Sequence, residues 1–252
     1  MQRDADTFIS NNERAFILKA LQDEARLDGR KPYDFRKIKF QFSLDDSSAT
    51  VILGGSTRVM AVIHAALEAP FPDRPSEGSI RFNVEAGPMA SPAFEPGRPG
   101  PAAVELARLV ERALKGSGAI DTEALCVMAG RKVWALRVDV HILDHGGNLV
   151  DACVLAALAA CMAFRRPEVS VGGESGTQLI VHPPEQREPL PLTIHHLPVS
   201  VTFALFEESG ATVVVDPSLK EEAAKAGSAT IMVNTNKEVC AVHKADGVGL
   251  TA

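Results

Sequence analysis

The alternation of apolar and polar residues divides the chain into distinct elements. Phe16, Ile17, Ala20 and Leu21 recur at helical intervals behind Ser10 and Glu13, which stand at capping-box spacing. Together they predict a helix over 11–24. Ile38, Phe40, Phe42 and Leu44 alternate with polar residues, the pattern of a half-buried strand. A turn at Asp45-Asp46-Ser47-Ser48 leads to a second strand over 49–53. Gly54-Gly55 interrupts it, and a third strand over 57–66 is largely apolar, hence central. Ile80, Phe82 and Val84 alternate again, between loops rich in proline and glycine at 71–78 and 87–100.

Pro101 suits the first turn of a helix. Val104, Ala107, Val110, Ala113 and Leu114 form its apolar face, with Arg108, Arg112 and Lys115 on the polar side and Gly116 at its end. A hairpin is expected next, 125–129 and 133–143, around Gly130-Arg131-Lys132. Period two places Arg137, Asp139 and His141 on one face of its second strand, and Trp134, Leu136, Val138, Val140 and Ile142 on the other. Gly146-Gly147 turns the chain into an Ala- and Cys-rich helix over 150–164, closed by Pro167. A proline-containing polar loop at 183–191 is the candidate domain boundary. Beyond it Val199, Val201, Phe203 and Leu205 alternate, and Ser209-Gly210 predicts a hairpin to 212–215. A helix then runs from Pro217 to Ala226, ended by Gly227, and two strands over 230–233 and 239–243 flank Thr235-Asn236-Lys237. This order gives an α+β or mixed α/β chain, with strands, helix and strands in each half.

The 252 residues, 46% hydrophobic and 23% charged, fit one large domain or two small ones with a sizeable core. A net charge of −6 argues against a free-standing nucleic-acid binder, so any RNA or DNA contact must be local or shared with a more basic partner. Cys126, Cys153, Cys161 and Cys240 include no C-x-x-C pair, which suits a reduced intracellular protein with cysteines as small buried hydrophobes. The N-terminus shows no apolar signal region, and the longest uncharged apolar run, 152–164, is shorter than the roughly 20 residues a membrane span needs. No membrane association is expected.

Three groups of residues carry candidate chemistry. Arg137, Asp139 and His141, with Asp144 and His145 beyond, suit an acid–base or metal constellation, or simply a solvated strand face. His141 and His145 have the spacing of zinc ligands on a helix, but this segment reads as strand. Gly54-Gly55-Ser56-Thr57 and Gly172-Gly173 suit either a phosphate cradle or plain turns, and neither has the Walker pattern. Arg108, Arg112 and Lys115 suit either an RNA backbone or a solvated helix face. His195-His196 fall on opposite faces of an expected strand, and Asp151 complements a helix dipole.

Several stretches together resemble a known family. They are Arg26-Leu-Asp-Gly-Arg30 with Arg36, the run 51–59, Glu77-Gly78 with the run 81–85, and Met89 through Arg98. Further matches are the run 120–126, Val133-Trp134, Arg137-Val-Asp139, Asn148 with Asp151-Ala152, the run 164–171 and the run 191–198. In this order they resemble the RNase PH-like ring subunits of the eukaryotic RNA exosome, from about Ser10 to Gly247. Asn12-Glu-Arg-Ala-Phe16 and the His-His pair resemble one subunit type of that ring. The resemblance implies an α+β, RNase PH-like fold of two mixed-sheet subdomains with packed helices, the first of them like ribosomal protein S5 domain 2. It divides the chain into a helical arm over 1–28, subdomain 1 over 29–190 and subdomain 2 over 191–252. Family members continue into a closing helix, so it also implies a second subdomain cut short at Ala252.

The implied partners are other RNase PH-like ring subunits, cap subunits with RNA-binding domains, hydrolytic exoribonucleases and RNA. The implied setting is nucleus, nucleolus and cytoplasm. Alignment on the Gly-Gly turn puts His141 and Gly146 where active relatives carry aspartates, so these are read as degenerate active-site positions. The resemblance thus implies a chain without catalytic residues, metal or cofactor of its own. Arg108, Arg112, Lys115, Arg131 and Lys132 are the expected RNA contacts. An active phosphorolytic exoribonuclease, or a metal- or small-ligand enzyme using the His141–His145 face, are the alternatives.

Overall fold

The computed structural model describes residues 9–45, 47–97, 99–172, 178–206, 212–244 and 247. The Ser209-Gly210 turn, Gly173, Asp46, Arg98 and both chain ends lie outside the described residues. In chain order the strands are β1 (Ile38–Phe42), β2 (Ser48–Leu53), β3 (Thr57–Glu68), β4 (Ser79–Ala86), β5 (Cys126–Met128), β6 (Lys132–Asp144) and β7 (Arg165–Arg166). After them come β8 (Val169–Gly172), β9 (Gln178–Val181), β10 (Leu190–Pro191), β11 (Val199–Leu205), β12 (Val213–Val215), β13 (Gly227–Val233) and β14 (Val239–His243). The helices are α1 (Asn11–Gln22), α2 (Pro101–Glu111), α3 (Leu149–Ala163) and α4 (Leu219–Ala224).

The first sheet runs β1-β2-β3-β6-β4, with β5 paired to β6. It is mixed, because β4 lies parallel to β6 while β3 pairs β6 antiparallel. β3 is central, as its apolar content predicts. The second sheet, β12-β11-β13-β14, is antiparallel in all three pairings. Helix α3 lies between the two sheets, against β2 and β3 on one side and β11 on the other. Every residue from Asp151 to Cys161 is buried, which is why this helix is apolar all round rather than striped. Helix α2 covers β4 and touches α3, so both helices occupy one face of the first sheet.

The predicted capping box at the start of α1 is present: Glu13 N–H donates to Ser10 Oγ at 3.2 Å, and Ser10 N–H to Glu13 Oε2 at 3.0 Å. The helix ends at Gln22 rather than residue 24, because Glu24 takes a left-handed backbone with φ 55°. α1 does not pack on the first sheet. Its Ile17 and Leu21 join Ala204, Phe206, Val214 and Ala224 in a second small core.

Four expectations change. β1 is not half-buried: all five of its residues are exposed, with Phe40 and Phe42 stacked at a centroid distance of 6.4 Å. Ile38, Phe40 and Phe42 lie opposite buried Leu53, Val51 and Ala49, on the helix-bearing face, but at the margin of the sheet. The helix beginning at Pro101 is α-helical only to Glu111 and widens into a π turn over Arg112–Gly116. α4 is shorter than its predicted span because Ser218, not Pro217, caps it, and Lys225 is already extended. His195 and His196 lie not on a strand but beside a single bridge between Ile120 and Ile194.

Candidate functional site

The densest buried polar cluster lies where the arm and the two sheets meet. Arg26, 5% exposed, donates from Nε and Nη2 to the two Glu221 oxygens at 2.9 and 2.6 Å, and to the Val215 and Asp216 carbonyls at 2.9 Å each. Arg36 grips Asp216 from Nε and Nη2 at 2.8 and 2.7 Å, and Arg30 adds a bond to the same carboxylate at 2.9 Å. The remaining Arg36 donors reach Ser56 Oγ, Thr57 Oγ1 and the Gly146 and Gly147 carbonyls. The Arg26-Leu-Asp-Gly-Arg30 run and Arg36 are therefore a clamp between the entry segment and the second sheet.

Asn148 is the hub of this cluster. It sits at φ 55°, donating from Nδ2 to Asp151 Oδ2 at 2.8 Å and Asp216 Oδ1 at 2.7 Å. Its N–H donates to Glu222 Oε1 at 2.8 Å. Asp151 also accepts from the N–H and hydroxyl of Thr202, at 3.0 and 2.9 Å. Burial pushes the Asp151 carboxyl up to about 6 against these bonds. Burial acts the same way on Asp216, but there the Arg36 hydrogen bonds and charge, with Asn148, win and hold it below the ordinary carboxylate range.

A cleft of about 390 Å³ opens on this cluster, lined by Phe94, His145, Asn148, Glu222, Lys225 and His243 among others. Burial holds His145 below its ordinary pKa; Asp144 opposes this and Arg36 adds to it. Burial raises the Glu222 carboxyl despite the Asn148 N–H and the charges of Lys225 and Arg36. Burial thus favours the neutral forms of His145 and Glu222.

The polar face of β6 forms as expected, but its members part company. Arg137 Nε donates to Asp139 Oδ2 at 2.8 Å. His141 pairs with Glu85, Nδ1 to Oε2 3.2 Å, and lines a cavity of about 680 Å³. His145 turns the other way and stacks on Phe94 at 5.6 Å in the separate cleft. The His141–His145 enzyme reading is corrected by this divergence: the strand ends at Asp144, and the turn after it re-aims the next side chain. Among the described residues no three His, Cys, Asp or Glu side chains converge as a metal site.

The cavity that His141 lines does not include Gly146. Gly146 packs on Ser56, whose Cβ would stand 2.6 Å from any Cβ added at Gly146. Gly54 and Gly55 adopt φ values of 58° and 85°, and Ser56 and Thr57 beyond them bind Arg36; turn geometry and the clamp account for this sequence.

Arg108, Arg112 and Lys115 are all exposed on α2 and the turn after it. Lys115 is paired with Glu111 at 3.1 Å, whereas Arg108 and Arg112 have no ion-pair partner among the described residues. Arg131 is exposed on the β5–β6 turn, and Lys132 donates to the Leu67 carbonyl at 3.4 Å. Sequence reasoning missed Glu221, Glu222 and Asp216 as a group. The only local signal was Ser218 with Glu221 at capping-box spacing, and it spoke of a helix start.

Residues 34–167 match domain 1 of the 3′ exoribonuclease family, RNase PH, and residues 196–252 match domain 2. The chain belongs to the RNase PH family. The RNase PH-like fold is seen in solved structures too: the Archaeoglobus fulgidus exosome with RNA bound to the active site has a TM-score of 0.81 at 35% identity, covering 96% of this chain and 89% of that one. Within the family the similarity is to exosome components of the RRP45 type. Exosome complex component RRP45A of Arabidopsis thaliana is 54% identical over 92% of this chain and 75% of its own length. The human exosome complex component RRP45 is 45% identical over 97% of this chain and 55% of its own length. The chain therefore spans between about half and three quarters of these RNase PH relatives.

Proposed function

We propose that this chain is a non-catalytic structural subunit of an RNA exosome ring. It helps form the channel that guides RNA to 3′→5′ processing and degradation, including rRNA maturation and mRNA decay. Its partners are other RNase PH-like ring subunits, RNA-binding cap subunits and hydrolytic exoribonucleases, in nucleus, nucleolus and cytoplasm. The similarity to RRP45-type exosome components supports the placement. The observation that carries the lack of chemistry is the state of the buried carboxylates. Asp216 and Glu221 are neutralised by Arg26, Arg30 and Arg36, and Asp151 is saturated by Asn148 and Thr202. A carboxylate already held by guanidinium groups is a poor general base and a poor ligand for a hard cation. The aligned positions His141 and Gly146 offer no carboxylate in its place. RNA contact falls to Arg108 and Arg112, which have no ion-pair partner among the described residues, with Lys115, Arg131 and Lys132 beside them. Purified protein incubated with RNA and inorganic phosphate is expected to release no nucleoside diphosphate.

One observation favours the phosphorolytic alternative. Glu222, with its raised pKa, lines a cleft beside Lys225, His145 and His243, and a structural relative is described with RNA bound to its active site. Phosphate-dependent release that disappears in Glu222→Gln would establish that reading and overturn the scaffold.

A further inference from the structure

The face of the first sheet turned away from α2 and α3 carries an uneven distribution of charge. His64 on β3 lies opposite Arg137 on β6, and Arg81 on β4 lies beside the same Arg137. One imidazole and two guanidinium groups thus form a row across three adjacent strands, with neighbouring Cα atoms about 5 Å apart. Like charges in directly opposed positions destabilise a sheet, so such a row needs compensation. One carboxylate on these strands pairs with the row. Asp139, two residues along β6 and nearly buried, accepts from Arg137 Nε at 2.8 Å and lies 3.8 Å from His64 Nε2. The terminal nitrogens of Arg137 have no partner among the described residues, and neither does Arg81. The side chains of Arg137 and His64 are 63% and 58% exposed. All three border a cavity of about 340 Å³. Farther along the same face the sign changes, at the Glu85–His141 pair.

We infer that this row is the docking point for a carboxylate-bearing segment of another protein, an acidic loop or strand of a neighbouring ring subunit; the inference rests on the ring reading above. The Arg81 guanidinium and the terminal nitrogens of Arg137, side by side and unpaired among the described residues, match carboxylates in geometry as well as charge. RNA fits less well. No Phe, Tyr or Trp lines the cavity to stack a base. Met60 and Val62, half-buried on β3, and Ala66, exposed at its far end, continue the face as an apolar strip. An apolar strip edged by arginine is the make-up of a protein interface.

The test uses the full chain reconstituted with RNase PH-like ring subunits. Arg81→Glu with Arg137→Gln, which keeps a side-chain amide to donate to Asp139, should lower the melting temperature of the isolated chain only slightly. It should weaken assembly on the order of tenfold or more, with a reduced salt dependence. A second variant gives a positive signal: Arg137→Lys in the assembled complex should form a zero-length carbodiimide cross-link to an Asp or Glu of a neighbouring subunit. If the wild-type chain joins no ring subunit, the ring reading fails and the docking point with it. If the wild type assembles, but the double variant binds as tightly and the lysine variant gives no cross-link, the docking point alone is wrong. Normal assembly of the double variant with loss of ultraviolet cross-linking to RNA would also overturn it, by assigning the row to phosphates.

Discussion

Arg36 holds both carboxylate oxygens of Asp216, 180 residues farther along the chain, at 2.8 and 2.7 Å. Asp216 is fully buried and the Arg36 side chain is 7% exposed, with Arg30, 14% exposed, as the second cation on the same carboxylate. Breaking a buried ion pair costs about 3–5 kcal/mol, and Arg30 and Asn148, which stay on Asp216, place the loss of Arg36 toward the lower end. Arg36→Ala should lower stability by that order in urea denaturation. Replacing Arg30, whose side chain is more exposed and binds the same carboxylate from one nitrogen, should cost clearly less.

Two buried carboxyls joined by Asn148 should give pH dependences of opposite sign. The folded-state pKa of Asp151 is raised from 3.8 to about 6, so the folded protein binds the extra proton between those values. Stability contributed by Asp151 therefore falls as pH rises from about 4 to about 6, by roughly 3 kcal/mol, and is flat above. Asp216 is shifted down, so its contribution is present above 3.8 and lost as pH falls through its lower folded value. Denaturation midpoints collected from pH 3 to 8 should show the fall between about 4 and 6 in the wild type and not in Asp151→Asn. A wild-type curve rising through that window would contradict the assignment.

The four thiols should separate into two pairs. Cys153 and Cys161 are enclosed by α3 packing, and burial pushes both thiols up to about 12. Cys126 and Cys240 are partly exposed. Iodoacetamide under native conditions should label positions 126 and 240 and spare 153 and 161, while denaturant should expose all four. Mass spectrometry of the peptides reads the result directly.

If Arg112 touches an RNA backbone, reversing its charge removes at least one phosphate contact. Arg112→Glu should weaken RNA binding by the assembled ring and lower the slope of log affinity against log salt by about 0.7 or more. An unchanged slope would return Arg112 to the solvated face of its helix.

Much of the fold was legible along the chain. Alternation located β1, β4, β6 and β11, and Ser10 with Glu13 marked the start of α1. These are signals between near neighbours. The junction cluster was not legible because its partners lie far apart: Arg26 meets Glu221 across 195 residues, and Asn148 meets Asp216 across 68. Nothing local distinguishes Asp216 from any other aspartate before a proline. The exposure of β1 escaped for a different reason. Alternation tells which residues share a face, not whether anything covers that face. The shared face of Arg137, Asp139 and His141 was predicted, but the divergence of His141 from His145 depends on a turn conformation that periodicity does not encode.

The bare margin at β1 bears on how such a chain survives while it is being made. Ile38, Phe40 and Phe42 stand on a strand paired on one side only among the described residues, with fully exposed Leu44 just beyond. An open apolar edge of this kind is a template for wrong pairing with another copy. The rate of that reaction rises with the concentration of uncapped chains, however firmly each is folded. If a ring partner shields this edge, as the proposed function implies, the supply of that partner sets how much free chain stays dispersed. Synthesis beyond that supply feeds aggregation and turnover rather than a reserve.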